Sequence, residues 1–303
     1  MSALSNIKNH IYIPKNNNEL QQAQRLFHGR GHAYEGLKHV TIDCLFPVVL
    51  ITLYKPESIE NIKALADYLV SVLPQIKSIQ VQHRDEISGP IEVIWGEKIE
   101  SLNIVEHNNK YKISLGRARN TGLFLDMCNG RQWVQQHSYN KRVLNLFAYT
   151  CGFSVAAIAG GASGVVNVDM SGAALSVGRD NHRLNSHDLK KVRYEKVNIF
   201  RSFGRLKKRG PFELLICDPP TFQKGSVQID KDYPKIMRRL DDFMAPQSSL
   251  LLCLNSPDLS SDFIIDNMQA SAPEYVFEKY INPPAVYVDA QKKGLKTLVF
   301  TRK

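Results

Sequence analysis

Residues 142–170 constrain the fold more than any other part of the chain, because they follow the order strand, loop, helix, strand. The apolar residues Val143, Leu144, Leu146 and Phe147 are typical of a strand that is covered on both faces. A small apolar helix is predicted next, and Gly160 and Gly161 end it, because glycine accepts the left-handed backbone of many helix ends. A second apolar strand ends at Asp169. Two parallel strands joined by a helix predict an open α/β sheet.

In an open parallel sheet, ligands bind beyond the carboxyl ends of the strands. Asp169 stands at such an end, where its carboxylate can accept hydrogen bonds from a ribose diol, and the loop 149–153 offers backbone N–H groups. A dinucleotide site usually needs a glycine-rich cradle for pyrophosphate, and this loop holds only Gly152. The loop therefore favours a less anionic adenosine-containing ligand, such as S-adenosylmethionine, and disfavours an NAD-dependent dehydrogenase.

A second motif lies at residues 212–222, where an apolar strand is followed by Asp218, Pro219 and Pro220. The prolines fix the backbone and remove N–H donors, so carbonyl groups and the Asp218 carboxylate remain as acceptors. Phe222 can supply a ring on which a base stacks. These residue types indicate a site for a planar nitrogen-containing base, with the four named side chains as its catalytic residues.

Four segments occur in an order that resembles a family of bacterial 23S ribosomal RNA methyltransferases: TGLFLD at 121–126, NLFAYTCGFS at 145–154, VDMS at 168–171 and DPPTF at 218–222. That family uses S-adenosylmethionine and contains 5-methylcytosine-forming and 7-methylguanine-forming enzymes. The DPPTF segment is nearer to the guanine-N7 branch. The resemblance covers the chain from about residue 117 onward and implies a class I methyltransferase domain.

The resemblance also implies which residues form the site. Those implied to bind S-adenosylmethionine are Asp126, Asn145, Phe147, Tyr149, Thr150, Gly152, Asp169, Met170, Ser171, Asn198 and Asp218. Those expected to contact 23S ribosomal RNA are Arg117, Arg119 and Lys224. No metal is implied.

Two positions depart from the family pattern. Asn198 stands where many methyltransferases place an acid that accepts a hydrogen bond from the adenine amine. Its carbonyl oxygen can accept that bond, or the side chain can cap the following helix. Cys128 stands where related sequences carry arginine, and Arg131 is a candidate substitute for that arginine.

The target atom divides the family chemically. Guanine N7 has a free lone pair, whereas cytosine C5 becomes nucleophilic only after a cysteine thiolate adds to the neighbouring carbon. Asn255 occupies the position, just after strand five, where the cytosine enzymes carry that cysteine, and Cys253 lies earlier, inside the strand. A base nitrogen, with guanine N7 favoured, is therefore predicted, and cytosine C5 is the alternative. A small-molecule or protein methyltransferase and a non-catalytic RNA-binding assembly factor are further alternatives.

Composition agrees with an RNA partner. Lysine and arginine exceed aspartate and glutamate by 39 − 29 = 10, an excess common in proteins that meet a polyanion. The densest basic run, 201–209, is interpreted as the solvated face of a helix. The five cysteines lack metal-binding spacing and are odd in number, which favours reduced thiols and a cytoplasmic protein. No apolar run is long enough to span a membrane.

The chain is expected to form two domains. Residues 1–115 predict a smaller α+β domain, with helices at 21–27 and 59–73, strands at 41–54 and 76–82, and a hairpin whose tip is at 108–109. Residues 116–303 predict the Rossmann-like methyltransferase domain, with Ser171 capping a helix at 172–185 and a further helix at 230–244. Its seven-stranded sheet ends in an antiparallel strand, because the loop between 275–281 and 295–301 is too short for a crossover helix.

Residues 27–37 are rich in histidine, glycine and arginine, and two interpretations stay open. The stretch is either a loop beside RNA or the cofactor, or a glycine-rich turn with satisfied histidines. A metal site at His28, His32 and His39 is disfavoured, because no cysteine or close carboxylate completes a tetrahedral set.

Overall fold

A computed structural model of the protein describes residues 3–116, 120–220, 222–223 and 227–302. Contacts divide the chain into two compact units, Met1–Asp126 with Pro284–Lys292 and Met127–Pro283 with Lys293–Lys303. Within the described ranges, no helix combines the length and the apolar character needed to cross a membrane.

The first unit contains the helices α1 Asn17–Leu20 and α2 Ile59–Val72 and the strands β1 Gln24–His28, β2 Val40–Leu45, β3 Val48–Leu53, β4 Ser78–His83, β5 Ile91–Gly96, β6 Ser101–Glu106 and β7 Asn109–Ser114. The first five strands form one sheet in chain order. β3 and β4 run parallel on either side of α2 in the sequence, and the other neighbours are antiparallel. The buried residues Ile62, Leu65 and Leu69 recur at helical spacing, so the predicted helix at 59–73 is confirmed as α2.

Two predictions for this unit are wrong. Residues 21–27 do not form a helix, because residues from Gln24 onward pair with β2 as strand β1, and tertiary pairing overrides a weak helical tendency. Residues 41–54 are not one strand but the hairpin β2–β3, with Phe46 and Pro47 at its turn. Proline has no N–H to continue a strand ladder. The predicted hairpin around residue 108 is confirmed as β6–β7, with positive φ at His107 and Asn108.

The glycines of the stretch 27–37 have a structural explanation within this unit. A Cβ on Gly31 would lie 2.7 Å from the carbonyl carbon of Val288 and closer still to its oxygen. The Ala290 N–H also donates to the Gly31 carbonyl at 2.8 Å. The segment Pro284–Lys292, which we call the strap, therefore packs directly against this stretch. No group of three metal-ligating side chains occurs among the residues that the structure describes.

The second unit contains the helices α3 Cys128–His137, α4 Gly152–Ala159, α5 Gly172–Leu184, α6 Phe203–Arg209, α7 Ile229–Met237, α8 Leu240–Phe243 and α9 Ser261–Ser271. Its strands are β8 Arg142–Leu146, β9 Gly164–Asp169, β10 Val192–Lys196, β11 Phe212–Cys217, β12 Phe222–Gln223, β13 Val227–Gln228, β14 Met244–Leu254, β15 Val276–Tyr280 and β16 Lys296–Arg302.

Seven of these strands form one sheet in the order β10-β9-β8-β11-β14-β16-β15. The first five are parallel, and β16 runs antiparallel to both of its neighbours. The predicted class I methyltransferase sheet is therefore confirmed. The single helix predicted at 230–244 is wrong, because the chain forms two helices, α7 and α8, and Met244 already begins β14.

The apolar runs of the sequence are the central strands of this sheet. Val143, Leu144 and Leu146 of β8 are fully buried, as are Leu214 and Leu215 of β11. Their side chains belong to two separate apolar clusters, one on each face of the sheet. Coverage on both faces explains why these strands show no alternation of polar and apolar residues.

Candidate active site

The loop between β8 and α4 holds an unusual backbone conformation. Phe147, Tyr149 and Cys151 have φ values of 56°, 47° and 61°, in the left-handed region that non-glycine residues avoid. Each such residue costs roughly 1–2 kcal/mol unless its surroundings hold it in place. Strained loops of this kind concentrate at binding sites, and this one is held by contacts from β9 and α5.

Asp169, at the end of β9, ties this loop to the following turn. Its Oδ2 accepts the Tyr149 N–H at 2.8 Å, and its Oδ1 accepts the Ser171 N–H at 2.8 Å. Each carboxylate oxygen retains a second lone pair, so the side chain can still accept from a diol. The sequence predicts the ligand-binding role of Asp169 but not this backbone role.

Asp169→Asn should weaken S-adenosylhomocysteine binding about tenfold, or about 1.4 kcal/mol, because the new amide NH₂ must face one of the two backbone N–H groups. Isothermal titration calorimetry would measure the change. Asp188→Asn is the matched control, since Asp188 accepts the Lys190 N–H at 2.9 Å in a turn at the other end of β10. Equal changes in the two variants would contradict the assigned role of Asp169.

Helix α5 supports the same loop from below. The Asn181 Nδ2 donates to the Thr150 carbonyl at 2.9 Å. A Cβ on Gly178 would lie 2.8 Å from the Cys151 Cβ and closer still to its sulfur. Only glycine therefore allows this approach of helix to loop. Neither Gly178 nor Asn181 is predicted from the sequence, although a glycine in a helix interior is a usable signal of close packing.

A buried polar network lies beneath the loop and joins β8, β9, α4 and α5. The Asn145 amide donates to Asn167 Oδ1, and the Asn167 amide donates to Ser154 Oγ, both at 2.9 Å. Ser154 Oγ lies 2.9 Å from His182 Nε2, and the His182 and His187 Nδ1 atoms are 3.0 Å apart. The Asn145 side chain, predicted to bind the cofactor, is thus buried in this network.

The network predicts a specific loss of stability in acid. Burial, with a smaller effect of His187, lowers the pKa of His182 from 6.5 to about 3. Between these values the unfolded chain binds a proton that the folded chain does not, so acidification below pH 6.5 favours unfolding by about 1.4 kcal/mol per pH unit. Urea unfolding from pH 7 to pH 5 should show a shallower pH slope for His182→Gln. Parallel slopes for the two proteins would rule out this titration.

Met170 and Asn198 lie together beyond the ends of β9 and β10. The Met170 side chain is 45% exposed, and its sulfur lies 3.7 Å from Asn198 Nδ2. Asn198 Oδ1 accepts the Phe200 N–H at 2.9 Å, which confirms the capping interpretation. The second lone pair of that oxygen leaves the adenine contact as a prediction. An exposed thioether beside a polar amide suits a flat purine.

The Asp-Pro-Pro motif follows β11 directly. The buried Tyr233 hydroxyl donates to the Cys217 carbonyl at 3.1 Å, which fixes the strand end before Asp218. Asp218 is partly exposed, Pro219 is buried and Pro220 is exposed. The Phe222 side chain and the whole of Arg117, Arg119 and Lys224 lie outside the described residues, so their roles stay predictions.

The predicted features of the second unit meet at one edge. β9, β8 and β11 are parallel neighbours, and Leu146 pairs with both Val168 and Cys217. The β8–α4 loop, Asp169 and Asp218 therefore leave the sheet side by side. Asp126 belongs to the first unit, in the turn Leu125–Met127, and its role stays a prediction.

Near this turn, Cys128 begins α3, and Arg131, on the same helix, is buried. All five cysteines lie in the described part of the chain, and none forms a disulfide.

These residues fit an adenosine-containing cofactor with a compact charge. The edge offers a carboxylate for a diol, an exposed thioether for a purine, and the N-terminus of α4 at Gly152. The loop above α4 carries bulky side chains at the strained positions, which leaves little bare backbone for pyrophosphate. The fit is therefore better for S-adenosylmethionine than for a dinucleotide.

Comparison with known proteins agrees with this geometry. A family model described as S-adenosylmethionine-dependent methyltransferase matches residues 24–301. Among the solved structures, a protein assigned as a methyltransferase and complexed with SAH has 23% sequence identity and a TM-score of 0.82, over 93% of this chain and 76% of that one. A SAM-dependent methyltransferase from Agrobacterium tumefaciens has 18% identity and a TM-score of 0.67, over 88% of this chain and 87% of that one. At these identities the two structures support the fold alone.

Curated relatives carry the name ribosomal RNA large subunit methyltransferase I. The Tolumonas auensis protein is 34% identical over 173 residues, which are 53% of this chain and 44% of that protein. The Shigella boydii protein is 31% identical over 202 residues, or 64% and 51%. The Aeromonas salmonicida protein is 28% identical over 227 residues, or 72% and 57%. The chain thus spans about half the length of the curated relatives it matches.

Proposed function

The chain belongs to the S-adenosylmethionine-dependent methyltransferase family, and on this premise we propose that it methylates a base of large-subunit ribosomal RNA. The observation that carries the proposal is the position of Asp218-Pro219-Pro220 on the same sheet edge as Asp169 and the strained loop. The names of the relatives support RNA as the acceptor.

The residues of this chain would act mainly by holding two partners in place. When bound, S-adenosylmethionine supplies an electrophilic methyl group, so the protein contributes orientation and exclusion of water. Asp169 and the β8–α4 loop would hold the nucleoside part. The Asp218 carboxylate and the Pro219 carbonyl would accept hydrogen bonds from the edge of the base, and Phe222 would stack on it.

For the target atom, we place cytosine C5 ahead of guanine N7. The guanine-N7 prediction rests on the DPPTF segment, and the relatives do not support it; they agree better with the cytosine alternative. Cytosine C5 makes a chemical demand that guanine N7 does not, because a thiolate must add to the neighbouring ring carbon before methyl transfer and leave afterwards with loss of the C5 proton.

Two thiols lie near the carboxyl ends of the neighbouring strands β11 and β14. Cys253 of β14 is fully buried, next to the end of the strand, and Asn255, just beyond it, is exposed. Cys217 of β11 is also fully buried, and burial raises the pKa of its thiol. Cys253 lies nearest the predicted position and is the thiol that the cytosine reaction would use. Its side chain packs in the apolar cluster with Leu251 and Val299, so the end of β14 would have to open for the thiol to reach a base.

The test is transfer of radiolabelled methyl from S-adenosylmethionine to RNA from a strain that lacks the protein, with wild-type RNA as the control. We expect label only in the 23S RNA of the deletion strain and, after nucleoside analysis, in 5-methylcytosine. Cys253→Ser should then abolish transfer, while Cys217→Ser, an equally buried thiol, should retain it. Label in 7-methylguanine, with both variants active, would restore the nitrogen target. Label in no RNA, despite cofactor binding, would indicate a small-molecule or protein acceptor.

A further inference from the structure

The positive charge of the chain is concentrated in one segment. Residues 179–209 contain 11 lysines and arginines and 3 aspartates and glutamates, so their net charge is 11 − 3 = +8. The net charge of the whole chain is +10, which leaves 10 − 8 = +2 for all other residues together. Like charges held this close repel one another, so such a concentration needs an explanation.

The segment forms one edge of the methyltransferase unit. It comprises the second half of α5, a short turn, the edge strand β10 and α6. We call its exposed cationic side chains the basic edge: Arg179, Arg183, Lys190, Lys191, Arg193, Lys196, Arg201, Arg205, Lys207 and Lys208.

Local ion pairs hold four cations of the helical part of this surface. Arg205 lies 3.4 Å and Arg209 3.1 Å from the buried Glu195. Lys207 lies 3.6 Å from Asp242, and Arg183 lies 3.3 Å from Asp180. These pairs agree with the interpretation of the run 201–209 as largely a structural, solvated face.

The part formed by β10 and the turn before it is different. Lys190 and Lys191 end that turn, and Arg193 and Lys196 belong to β10. These four residues, which we call the β10 quartet, are all exposed, and none forms an ion pair within the described chain. At about 2.0 Å per residue in the turn and about 3.3 Å in the strand, the quartet extends over roughly 17 Å. Because side chains alternate between the two faces of a strand, Arg193 and Lys196 project from opposite faces, and the four unpaired cations flank the open edge of β10. A phosphate backbone that lies along this edge can reach them with several successive phosphates.

Protection of an edge strand does not explain the quartet. Charged residues on edge strands, lysine in particular, prevent pairing with other chains, and this purpose concerns the strand itself and not the turn before it. The opposite edge strand, β15, uses both signs, with Lys279 Nζ 3.2 Å from Glu278 Oε1. The exposed charges of β10 are all positive, because its one carboxylate, Glu195, is buried and paired with Arg205 and Arg209 of α6. The positive charge continues onto the turn before the strand, which exceeds what edge protection requires.

The quartet begins at the cofactor edge of the sheet. Lys196 pairs in register with Asp169, and a Cβ on Gly172 would lie 3.1 Å from the Lys196 Cδ. From there the quartet follows β10 to its amino end and into the turn before it. An acceptor bound along β10 would therefore have one end beside Asp169 and the β8–α4 loop.

We propose that the basic edge, with the β10 quartet as its main contacts, binds the phosphate backbone of the RNA substrate. The proposal rests on the proposed function, and it adds where the RNA lies. A membrane surface is the weaker match, because none of the exposed large apolar side chains falls between residues 171 and 209, and interfacial segments need such side chains. Phosphate contacts fix position without reading sequence, so target choice stays with the base-binding edge.

The experiment compares K190Q/K191Q/R193Q/K196Q with K38Q/K55Q/K63Q/K77Q, which removes four exposed charges from the first unit. Anisotropy of a fluorescein-labelled 20-nucleotide RNA of mixed sequence would give Kd from 50 to 300 mM KCl. At 100 mM KCl the quartet variant should bind the RNA at least about tenfold more weakly than wild type. Its plot of log association constant against log salt concentration should be shallower, with a slope smaller in magnitude by about 3. The control should stay within about twofold of wild type. Equal Kd and slope in the two variants would overturn the proposal.

Two further readouts separate this proposal from the proposed function. S-adenosylhomocysteine affinity checks the fold, and a triple variant that keeps Lys196, the member beside the cofactor edge, should still lose most of the RNA affinity. If wild type methylates ribosomal RNA and the quartet variant has the same KM, the surface is wrong and the function stands. If wild type binds RNA through the quartet but methylates no RNA, the proposed surface stands and the proposed function is wrong. Loss of binding to polyglutamate or to phosphatidylglycerol vesicles, with RNA binding unchanged, would also overturn the proposal.

Discussion

In the proposed reaction, Asp218→Ala should lower the rate of methyl transfer to RNA by about 100- to 1,000-fold, the usual effect of removing one positioned polar group from an active site. The carboxylate stands at the exit of β11, where Tyr233 fixes the preceding carbonyl, and no backbone N–H is available at the two prolines that follow. Single-turnover transfer of radiolabelled methyl to 23S RNA would measure the loss.

S-adenosylhomocysteine affinity should fall less than the transfer rate, because Asp218 is one of several residues implied to bind the cofactor, and Asp169 and the β8–α4 loop remain intact. Asp266→Ala is the control, since Asp266 is an exposed carboxylate on α9, away from the strand ends. Full activity of Asp218→Ala would remove the motif from the catalytic site and, with it, the main structural argument for a base as the acceptor.

Gly178→Ala should lower the free energy of unfolding by about 1–3 kcal/mol, the usual cost of overpacking, and weaken S-adenosylhomocysteine binding at least about 30-fold. The added methyl would meet the Cβ and sulfur of Cys151, a fully buried residue whose neighbour Thr150 is hydrogen-bonded to Asn181 of the same helix. The helix or the cofactor loop must then shift. Urea unfolding and calorimetry would measure the two effects.

The chain offers two controls for this prediction. Gly204→Ala, in α6, meets nothing within 4 Å and should stabilise the protein by up to about 1 kcal/mol. Cys151→Gly removes both clashing atoms and places glycine at a positive φ, so it should restore the double variant. Strictly additive effects of Gly178→Ala and Cys151→Gly would show that the contact is not the cause.

What could be predicted from the sequence was local. The unit β8–α4–β9 follows from apolar runs and glycine punctuation, and the antiparallel last strand follows from the length of one loop. The sequence predicts Ser171 as the cap of a helix, and its side chain accepts the Ala174 N–H at 3.2 Å. Each of these inferences needs only neighbouring residues, because the physical cause is itself local.

What could not be predicted depends on partners distant in sequence. β1 forms because Gln24 and its neighbours pair with β2, and the sequence of the strand itself contains no signal of that pairing. The Asn145–Asn167 hydrogen bond becomes visible only when two strands lie side by side. The cost of a side chain at residue 178 likewise appears only once α5 rests on Cys151.

The strap, Pro284–Lys292, has a consequence for synthesis on the ribosome. The polypeptide leaves the first unit after Asp126, returns to it at Pro284, and leaves it again after Lys292. The nascent first unit therefore cannot finish folding until almost all of the second unit has emerged. The contacts of Gly31 with Val288 and Ala290 form only after the strap has been synthesised. Maturation of the two units is thus interlocked in time, contrary to the usual order in which the amino-terminal domain folds first.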